Sequence, residues 1–409
     1  GVAPEAQFAS LVTTAPNCLL ADSSLRPLQN AQDFDVFNAS WGFGSDGIFR
    51  DNFNTGFSAH GDAIANAANV GRDGNGTIVV FSAGNSFSEQ DPFGRPSAFG
   101  VDNVNYHNLK NTRFSIAVGA VNDDGDFSSP TNALGFSTPG APILVSAPGT
   151  EIRTNDLVAD TGPPAGDIQS SSGTSFSAPM VSGVSALMLD ANPNLGWRDV
   201  HEILAYTAVH NDRDEGSWVF NGATNWNGGG LHTNLNYGFG LVDAGAAVRL
   251  AQSWDENDTS SNEAAASVTS NRTETISNSL PAISQTVSID EDIEIENVAI
   301  DIVLAHEDVG DLTITLTSPS GTTSTLVTTP NAGNLGARQT TNEGFRLTSN
   351  EFYGENSEGQ WTLNVFDGQV DLDGTLSGWE LTTFGSPSDA DDTYVYTDEY
   401  ARSFPGSRQ

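Results

Sequence analysis

Four short apolar runs stand out in the first 250 residues, and each ends in small residues or glycine. Between the first two, residues 58–74 are alanine-rich with a helix-like pattern, and residues 180–193 place apolar side chains on one helical face before Pro193. This alternation predicts an α/β domain with a mainly parallel sheet flanked by helices. The four runs are VFNASWG (36–42), TIVVFSAGN (77–85), RFSIAVGAV (113–121) and APILVSAPG (141–149).

A second pattern begins after residue 280, where apolar and polar residues alternate with period two and turn sequences such as SPSG and DLDG separate the runs. Many short alternating strands with turns between them predict a β-sandwich, here of jelly-roll-like type. The runs lie at 286–306, 311–327, 359–368 and 374–385.

Composition divides the chain into four parts. Residues 1–252 form the predicted α/β domain and 280–386 the predicted β-sandwich. Residues 253–279 are poor in apolar residues and rich in Ser, Asn, Thr and Glu, which predicts a linker. Residues 387–409 are acidic and irregular, and are interpreted as a tail or the start of a further module.

Charge narrows the range of partners. The 409 residues contain 15 basic and 52 acidic side chains, a net charge of −37, which argues against nucleic acid and anionic membranes as partners. Such a surface suits a soluble protein in a salty or calcium-rich exterior. The single cysteine excludes an internal disulfide framework, and no apolar run approaches the ~20 residues that span a bilayer.

The run SSSGTSFSAPMVSG, residues 170–183, carries the candidate chemistry. A glycine ahead of Thr-Ser at the start of a helical stretch would place Ser175 at a helix N-terminus, where free N–H groups favour a developing anion. Asn85 ends an apolar run, so its amide could stabilise the oxyanion of a tetrahedral intermediate. Alone, a Gly-Thr-Ser triplet is more often a helix N-cap than a nucleophile.

Several motifs in sequential order resemble the subtilisin-like serine proteases. GTSFSAPMVSGVSALML is similar to their nucleophile motif, and GVAPEA, NASWG, VVFSAGN, SIAVGAV, LVSAPG and NYGFGLVDAGAAV follow the family order. The later SPSGT, GQWTLNVFD and LSGWEL resemble the P domain of the kexin/furin branch. The resemblance covers roughly residues 1–386 and implies a protease domain followed by a P domain.

The resemblance implies roles for particular residues. Ser175 would be the nucleophile, and the Asn85 side chain would stabilise the oxyanion together with the Ser175 backbone N–H. The substrate-binding residues would form two walls, with the peptide pairing as an added strand. These residues are Ser40, Trp41 and Gly42 on one wall, Ser82, Ala83 and Gly84 on the other, and Thr174 beside the nucleophile.

Two family motifs are missing. The catalytic Asp and His of these proteases precede the segment matched by GVAPEA, and neither motif occurs here, so we expect an N-terminally truncated fragment that is inactive as it stands. An inhibitory propeptide would also lie upstream. His60, in HGDAIA, is interpreted as a histidine on a helix face, and the other five histidines have no matching context. Without a base, Ser175 would be a weak nucleophile.

The pocket for the residue before the scissile bond also departs from the family. Furin-like enzymes bind basic residues through two carboxylates, and the matching positions here are Ser45 and His107. Because a buried arginine needs such partners, we predict that strict cleavage after Arg or Lys is lost. Asp46 is the residue that could restore a basic preference.

Calcium is left open by the sequence. The furin-like ion beneath that pocket would use the Ser45 position, Asp91 and the Thr138 position, so at most one of the three carboxylates is present. The acidic runs 122–126 and 367–373 are read as ordinary turns, with calcium as the alternative. No metal-binding residue is predicted, and the chemistry needs no cofactor.

The predicted function is therefore that of a secreted serine endopeptidase acting on proteins or peptides, with extracellular location inferred from the resemblance and the acidic composition. The alternative is a subtilase-fold scaffold for binding or adhesion without catalysis. A third reading gives the function to the β-sandwich, binding carbohydrate or peptide, although its aromatic residues fit a core better. Those aromatic residues are Tyr353, Trp361 and Trp379.

Overall fold

The computed structural model describes twelve stretches of the chain. Of the residues singled out above, Ser45, Asp46 and Asp91 lie outside them, as do 369–372 of the acidic run 367–373 and 389–409 of the predicted tail. The described residues are 2–11, 21–42, 58–86, 102–107, 109–127, 135–155, 168–224, 230–278, 281–306, 309–328, 344–368 and 373–388.

A four-stranded parallel sheet lies at the centre of the first domain, in the order β1-β2-β3-β4. Each strand falls within one of the four apolar runs, so the predicted parallel sheet is confirmed. Helices cover both faces, and this explains why the runs are continuously apolar rather than alternating. The strands are β1 (Val36–Ala39), β2 (Ile78–Ser82), β3 (Ser115–Val121) and β4 (Ile143–Pro148).

Strand β2 shows the two-sided burial directly, because all five of its residues are buried. Ile78 and Val80 belong to a core shared with α3, α4 and α5, whereas Val79 and Phe81 belong to a core on the opposite face shared with α2. The described residues contain five α-helices, which are α1 (Ala21–Gln29), α2 (Ser58–Val70), α3 (Thr174–Ala191), α4 (Trp197–Thr207) and α5 (Ala244–Ser253). Within the described ranges, none of the helices combines the length and apolarity needed to cross a membrane.

Two short antiparallel pairs border the first domain. Strands β5 (Ile152–Asn155) and β6 (Ile168–Ser171) pair just before α3, and β7 (Val219–Phe220) pairs with β8 (His232–Thr233). Strand β6 therefore leads the chain into α3, with only residues 172 and 173 between them.

The second domain consists of two antiparallel sheets that share one hydrophobic core, which confirms the predicted β-sandwich. One sheet has the order β10-β17-β12-β15, with β9 also on β17, and the other has the order β11-β16-β13-β14. Trp361 and Trp379 are almost completely buried in this core. The strands are β9 (Ala264–Ser270), β10 (Glu274–Ile276), β11 (Ile283–Ile289), β12 (Ile293–Ala305), β13 (Leu312–Thr317), β14 (Thr323–Val327), β15 (Gly344–Ser349), β16 (Gly359–Asp367) and β17 (Gly374–Pro387).

The predicted linker, 253–279, has regular structure. Strands β9 and β10 lie within it and pair along β17, from Ala264 opposite Gly385 to Ile276 opposite Gly374. The expectation of an unstructured connection is corrected here, because pairing with a long neighbour satisfies the backbone of a segment that has few apolar side chains to bury. The predicted tail at 387 likewise begins inside β17, which ends at Pro387.

Candidate functional site

The site lies where β1 and β2 end. These neighbours are parallel, so their carboxyl ends meet at one edge of the sheet, as Ala39 pairs with Phe81. The chain continues from β1 into Ser40–Gly42 and from β2 into Ala83–Asn85. Helix α3 packs against all four strands and begins at Thr174, next to both segments.

Gly173 sets the start of α3. Its φ of 147° and ψ of 152° belong to a region that essentially only glycine adopts, and its N–H donates to the Gly149 carbonyl at 2.8 Å. A Cβ on Gly173 would lie 3.3 Å from Asn85 Nδ2. The glycine of the motif therefore permits both the turn and the close approach of the Asn85 carboxamide.

Asn85 is held by the residue that precedes Ser175. Its Oδ1 accepts the Thr174 N–H at 2.9 Å and the Thr174 hydroxyl at 2.8 Å, and Thr174 Oγ1 in turn accepts the Gly84 N–H at 3.2 Å. Two donors on Oδ1 settle the orientation of the amide. Among the described residues, none accepts a hydrogen bond from Nδ2, so this donor is available to a ligand.

Ser175 and Ser40 make two reciprocal contacts. Ser175 Oγ donates to the Ser40 carbonyl at 3.3 Å, and Ser40 Oγ donates to the Ser175 carbonyl at 2.9 Å. The second contact has a local cause, because Pro179 has no N–H and so leaves the carbonyl four residues earlier unpaired within the helix. The half-buried Ser175 is thereby fixed against the end of β1.

None of the six histidines, all within the described ranges, is hydrogen-bonded to Ser175. His60 lies on α2, as predicted, and its Nε2 contacts Ser24 Oγ at 2.9 Å. Burial, with Arg198 nearby, lowers the pKa of His201 to about 3, so this side chain is neutral. Of the other four, His210 stacks on His232 with ring centroids 4.9 Å apart, His306 lies 3.6 Å from Asp367, and His107 lies 2.7 Å from Asp102.

The two predicted walls flank the start of α3. Trp41 packs edge-on against Phe81, with ring centroids 5.9 Å apart, while Gly42 is exposed. On the other wall, Ser82 and Ala83 are buried. Gly84 has a φ of 124° and its carbonyl accepts the Thr138 N–H at 2.9 Å.

Lys110 lies next to both walls, and none of the sequence motifs indicates it. The side chain is only 6% exposed, and Nζ donates to the Ala83 carbonyl at 2.9 Å. A Cβ built on Gly42 or on Gly84 would lie 3.4 Å from Nζ in either case. The signal that could have found it is composition, because Lys110 is the only lysine in the chain.

Asp102 and His107 belong to the same segment. His107 Nε2 lies 2.7 Å from Asp102 Oδ2, and both residues are largely buried. Burial alone would raise the pKa of Asp102, but His107 and the Lys110 ammonium outweigh it and hold that pKa below its ordinary value. The candidate pocket position His107 therefore pairs with an ionised carboxylate.

The segment 102–111 also joins the two domains. Asn105 is completely buried, its Nδ2 donates to the carbonyls of Leu326 and Thr348, and its Oδ1 accepts the Thr348 N–H. Tyr106 lies in the sandwich core and donates to the Thr328 carbonyl at 2.9 Å. The segment that carries Lys110 is thus hydrogen-bonded to the second domain through Asn105 and Tyr106.

A group of three acidic side chains that could hold a metal ion lies elsewhere, where α4 begins. Ligand atoms of Asp199, Glu256 and Asp258 all lie within 4.8 Å of one another. The Asp199 carboxylate accepts the N–H of Gly196, the N–H of Asp258 and the indole N–H of Trp254. Burial raises the pKa of Asp199 to about 6.

The parallel sheet, and the serine at the start of α3, place the first domain in the subtilisin-like α/β class. A model described as the subtilase family matches residues 1–240, and one described as the proprotein convertase P-domain matches residues 295–383. The first match covers more than half of the chain, which therefore belongs to the subtilase family of serine proteases, with a P domain after the peptidase domain. The kexin/furin-like architecture is confirmed.

Three relatives show the extent of the similarity. Furin-like protease 2 of Drosophila melanogaster is 30% identical over 375 residues, 87% of this chain and 20% of that protein. Kexin of Saccharomyces cerevisiae is 28% identical, over 88% of this chain and 41% of kexin. Human proprotein convertase subtilisin/kexin type 4 is 28% identical, over 90% of this chain and 44% of that protein. The chain thus spans less than half the length of these relatives.

A solved structure supports the fold. The serine protease of Aeromonas sobria, crystallised with its chaperone, superposes with a TM-score of 0.77 at 23% identity, over 95% of this chain and 78% of that one. At this identity the likeness shows the fold alone.

Proposed function

We propose that this chain carries the nucleophile and the oxyanion-binding groups of a serine endopeptidase. The observation that carries the proposal is the pair of hydrogen bonds from Thr174 to Asn85 Oδ1, which direct the Asn85 carboxamide to the residue next to Ser175. Membership of the subtilase family supports the same assignment.

In the proposed reaction, Ser175 Oγ attacks the carbonyl carbon of the scissile bond and its proton passes to a histidine base. The oxyanion that forms accepts hydrogen bonds from Asn85 Nδ2 and from the Ser175 N–H, which has no partner one turn earlier in the helix. The leaving amine takes the proton from the histidine, and water then hydrolyses the acyl-enzyme by the same route.

The base is a residue other than the six histidines of this chain, since none of them is hydrogen-bonded to Ser175. We propose that the catalytic histidine and aspartate belong to a part of the polypeptide outside these 409 residues, and that the isolated chain does not turn over. An inhibitory propeptide is proposed for the same region. The substrate would pair as a strand with Ser40–Gly42 on one side and lie along Ser82–Gly84 on the other.

No metal takes part in the proposed chemistry, and the described residues beneath the walls do not fit calcium. Thr138 offers a hydroxyl that already accepts the Ser86 N–H at 3.1 Å. This hydroxyl and the Lys110 ammonium both lie beside Gly84. A cation there would be repelled by that charge. At the group of three acids, N–H donors already occupy the Asp199 carboxylate. The Arg198 guanidinium lies 3.7 Å from Asp258 and would repel a cation.

Extracellular action on proteins or peptides is proposed from the family and from the net charge of −37. The test uses the full-length protein that contains this chain, a fluorophosphonate probe and casein hydrolysis. Covalent labelling mapped to Ser175, with both labelling and hydrolysis lost in Ser175→Ala, is the expected result. Ser170→Ala, at an exposed serine of β6, is the matched control and should leave both unchanged. Absence of labelling and hydrolysis in the wild type would favour the non-catalytic scaffold instead.

A further inference from the structure

Pro179 interrupts the hydrogen bonds of α3 at the nucleophile itself. A helix residue donates its N–H to the carbonyl four residues earlier, and proline has no N–H, so the Ser175 carbonyl receives none from residue 179. Ser40 Oγ takes this place, because it donates to the Ser175 carbonyl at 2.9 Å. The backbone of Ser175 is therefore held from outside the helix, by the first residue after β1.

A second contact joins the same two residues in the opposite direction. Ser175 Oγ donates to the Ser40 carbonyl at 3.3 Å, so the hydroxyl of Ser175 also lies against Ser40. Ser40 follows directly on β1, which pairs with β2 in the parallel sheet. Both the backbone and the side chain of Ser175 are thus held at the end of a sheet strand.

Asn38 determines where the Ser40 hydroxyl points. Its Nδ2 donates to Ser40 Oγ at 2.9 Å. A hydroxyl has a single proton, and because Ser40 Oγ accepts the Asn38 amide, its own proton is left for the Ser175 carbonyl. Asn38 Oδ1 accepts the hydroxyl of Ser182, which also lies 3.1 Å from the Ala178 carbonyl. A donor on Oδ1 settles the orientation of the Asn38 amide.

We infer that Ser40 is a positioning residue for the nucleophile, acting through its hydroxyl, and that Asn38 orients this hydroxyl. The inference rests on the proposed function of Ser175. A small displacement of an attacking atom slows the reaction without weakening the binding of the substrate, because attack requires a closely defined geometry. The hydroxyl of Ser40 thus has a role that is separate from its backbone, which is proposed to pair with the substrate.

Steady-state kinetics of the full-length protein on one peptide substrate test the inference. Ser40→Ala should lower kcat about tenfold and leave KM within about twofold, whereas Ser40→Thr, which keeps a hydroxyl, should recover most of the loss. Ser170→Ala, at an exposed serine of β6, is the matched control and should behave as the wild type. An unchanged kcat in Ser40→Ala, or a change confined to KM, overturns the inference.

Two double-mutant cycles separate positioning from general damage to the site. Pro179→Ala restores an N–H four residues after Ser175, so adding Ser40→Ala should then cost less kcat than it does in the wild type. Asn38→Asp replaces the Nδ2 donor by an acceptor and should lower kcat, but it should add nothing in a Ser40→Ala background. Asn69→Asp, at an exposed residue of α2, is the control for the added charge. Additive effects in the first cycle reject the role of Ser40, and in the second that of Asn38.

Urea unfolding of the same variants separates this inference from the proposed function, since it needs no turnover. Ser40→Ala should lower the unfolding midpoint, and by less when Pro179→Ala is present. Such coupling in a protein that neither hydrolyses peptides nor reacts with the fluorophosphonate would keep the contact but reject both the endopeptidase and the positioning role. Hydrolysis that depends on Ser175, with the same kcat in Ser40→Ala, would reject the positioning role alone.

Discussion

Asn85 Oδ1 accepts two hydrogen bonds from Thr174, from the backbone N–H at 2.9 Å and from the hydroxyl at 2.8 Å. One residue thereby fixes the carboxamide and, through the chain, positions Ser175 beside it. In the proposed reaction, a rigid donor next to the nucleophile is effective because it needs no reorganisation as charge develops.

Replacing Asn85 by aspartate tests the role of Nδ2. The aspartate keeps an acceptor for both Thr174 donors but removes the amide N–H and adds a negative charge beside the oxyanion. We expect kcat to fall at least about 10²–10³-fold, the range known for the oxyanion-hole asparagine of a subtilisin, with little change in KM. Steady-state kinetics of the full-length protein provide the measurement. An unchanged melting temperature with unchanged kcat would show that Nδ2 contributes nothing.

Replacing Gly173 by alanine should destabilise the first domain by about 1–3 kcal/mol, because alanine is strained at the φ and ψ found there. The new Cβ also approaches Asn85 Nδ2, so activity should fall. Urea denaturation measures the stability. Gly61→Ala, in α2 with nothing within 4 Å of the new Cβ, is the matched control and should stabilise by about 0.5–1 kcal/mol. Equal effects of the two substitutions would contradict this explanation.

Replacing Asn105 by alanine leaves three backbone groups of the sandwich without their partner, two carbonyls and one N–H. Since each unsatisfied buried group costs about 1–3 kcal/mol, we expect at least about 3 kcal/mol of lost stability. Differential scanning calorimetry gives the result, and Asn271→Ala, at an exposed position between β9 and β10, is the control. A loss no larger than that of the control would mean that the contact between the domains does not depend on Asn105.

Glu351 predicts a dependence of stability on pH. Burial raises its pKa to about 7, and Oε2 has no hydrogen-bond partner among the described residues. The folded state therefore holds a proton that the unfolded state releases near its ordinary pKa of 4.5. Stability is fully present below that value and is lost as the pH rises through about 7, by roughly 3 kcal/mol in total.

The variant Glu351→Gln removes this titration and should be more stable than the wild type at pH 8 but not at pH 4. Glu291→Gln, at an exposed glutamate, should follow the wild type at every pH. Denaturant unfolding at a series of pH values makes the comparison. Parallel curves for Glu351→Gln and the wild type would contradict a raised pKa.

Local sequence was sufficient for most of the fold. The four parallel strands were predicted because each is a short, continuous apolar run, and the sandwich strands because burial on one face produces alternation. Strands β9 and β10 were missed, since Ala, Ser and Thr dominate them and their structure depends on pairing with β17. Helix α3 begins at Thr174, in agreement with the prediction that Ser175 lies at a helix N-terminus after Gly173, whereas the apolar period at 180–193 alone does not mark that start.

The residues of the candidate site were likewise predicted only in part. Motif order indicated Ser175, Asn85 and the two walls as candidates, and these residues lie close together in the structure, while their roles stay a prediction. Lys110 was missed because it lies close to Gly42 and Gly84 only in the folded chain, and these glycines are 68 and 26 positions away in the sequence. Such convergence is a property of the tertiary structure, and no local pattern contains it.

The short stretch from Asp102 to Asn111 serves two neighbours at once. On one side the Lys110 ammonium donates to the Ala83 carbonyl of the peptidase domain, and on the other the side chains of Asn105, Tyr106 and Asn111 donate to carbonyls of the sandwich. Excising the peptidase domain would therefore expose the buried Tyr106 ring and leave these three side chains without their acceptors, so the two domains are expected to unfold together.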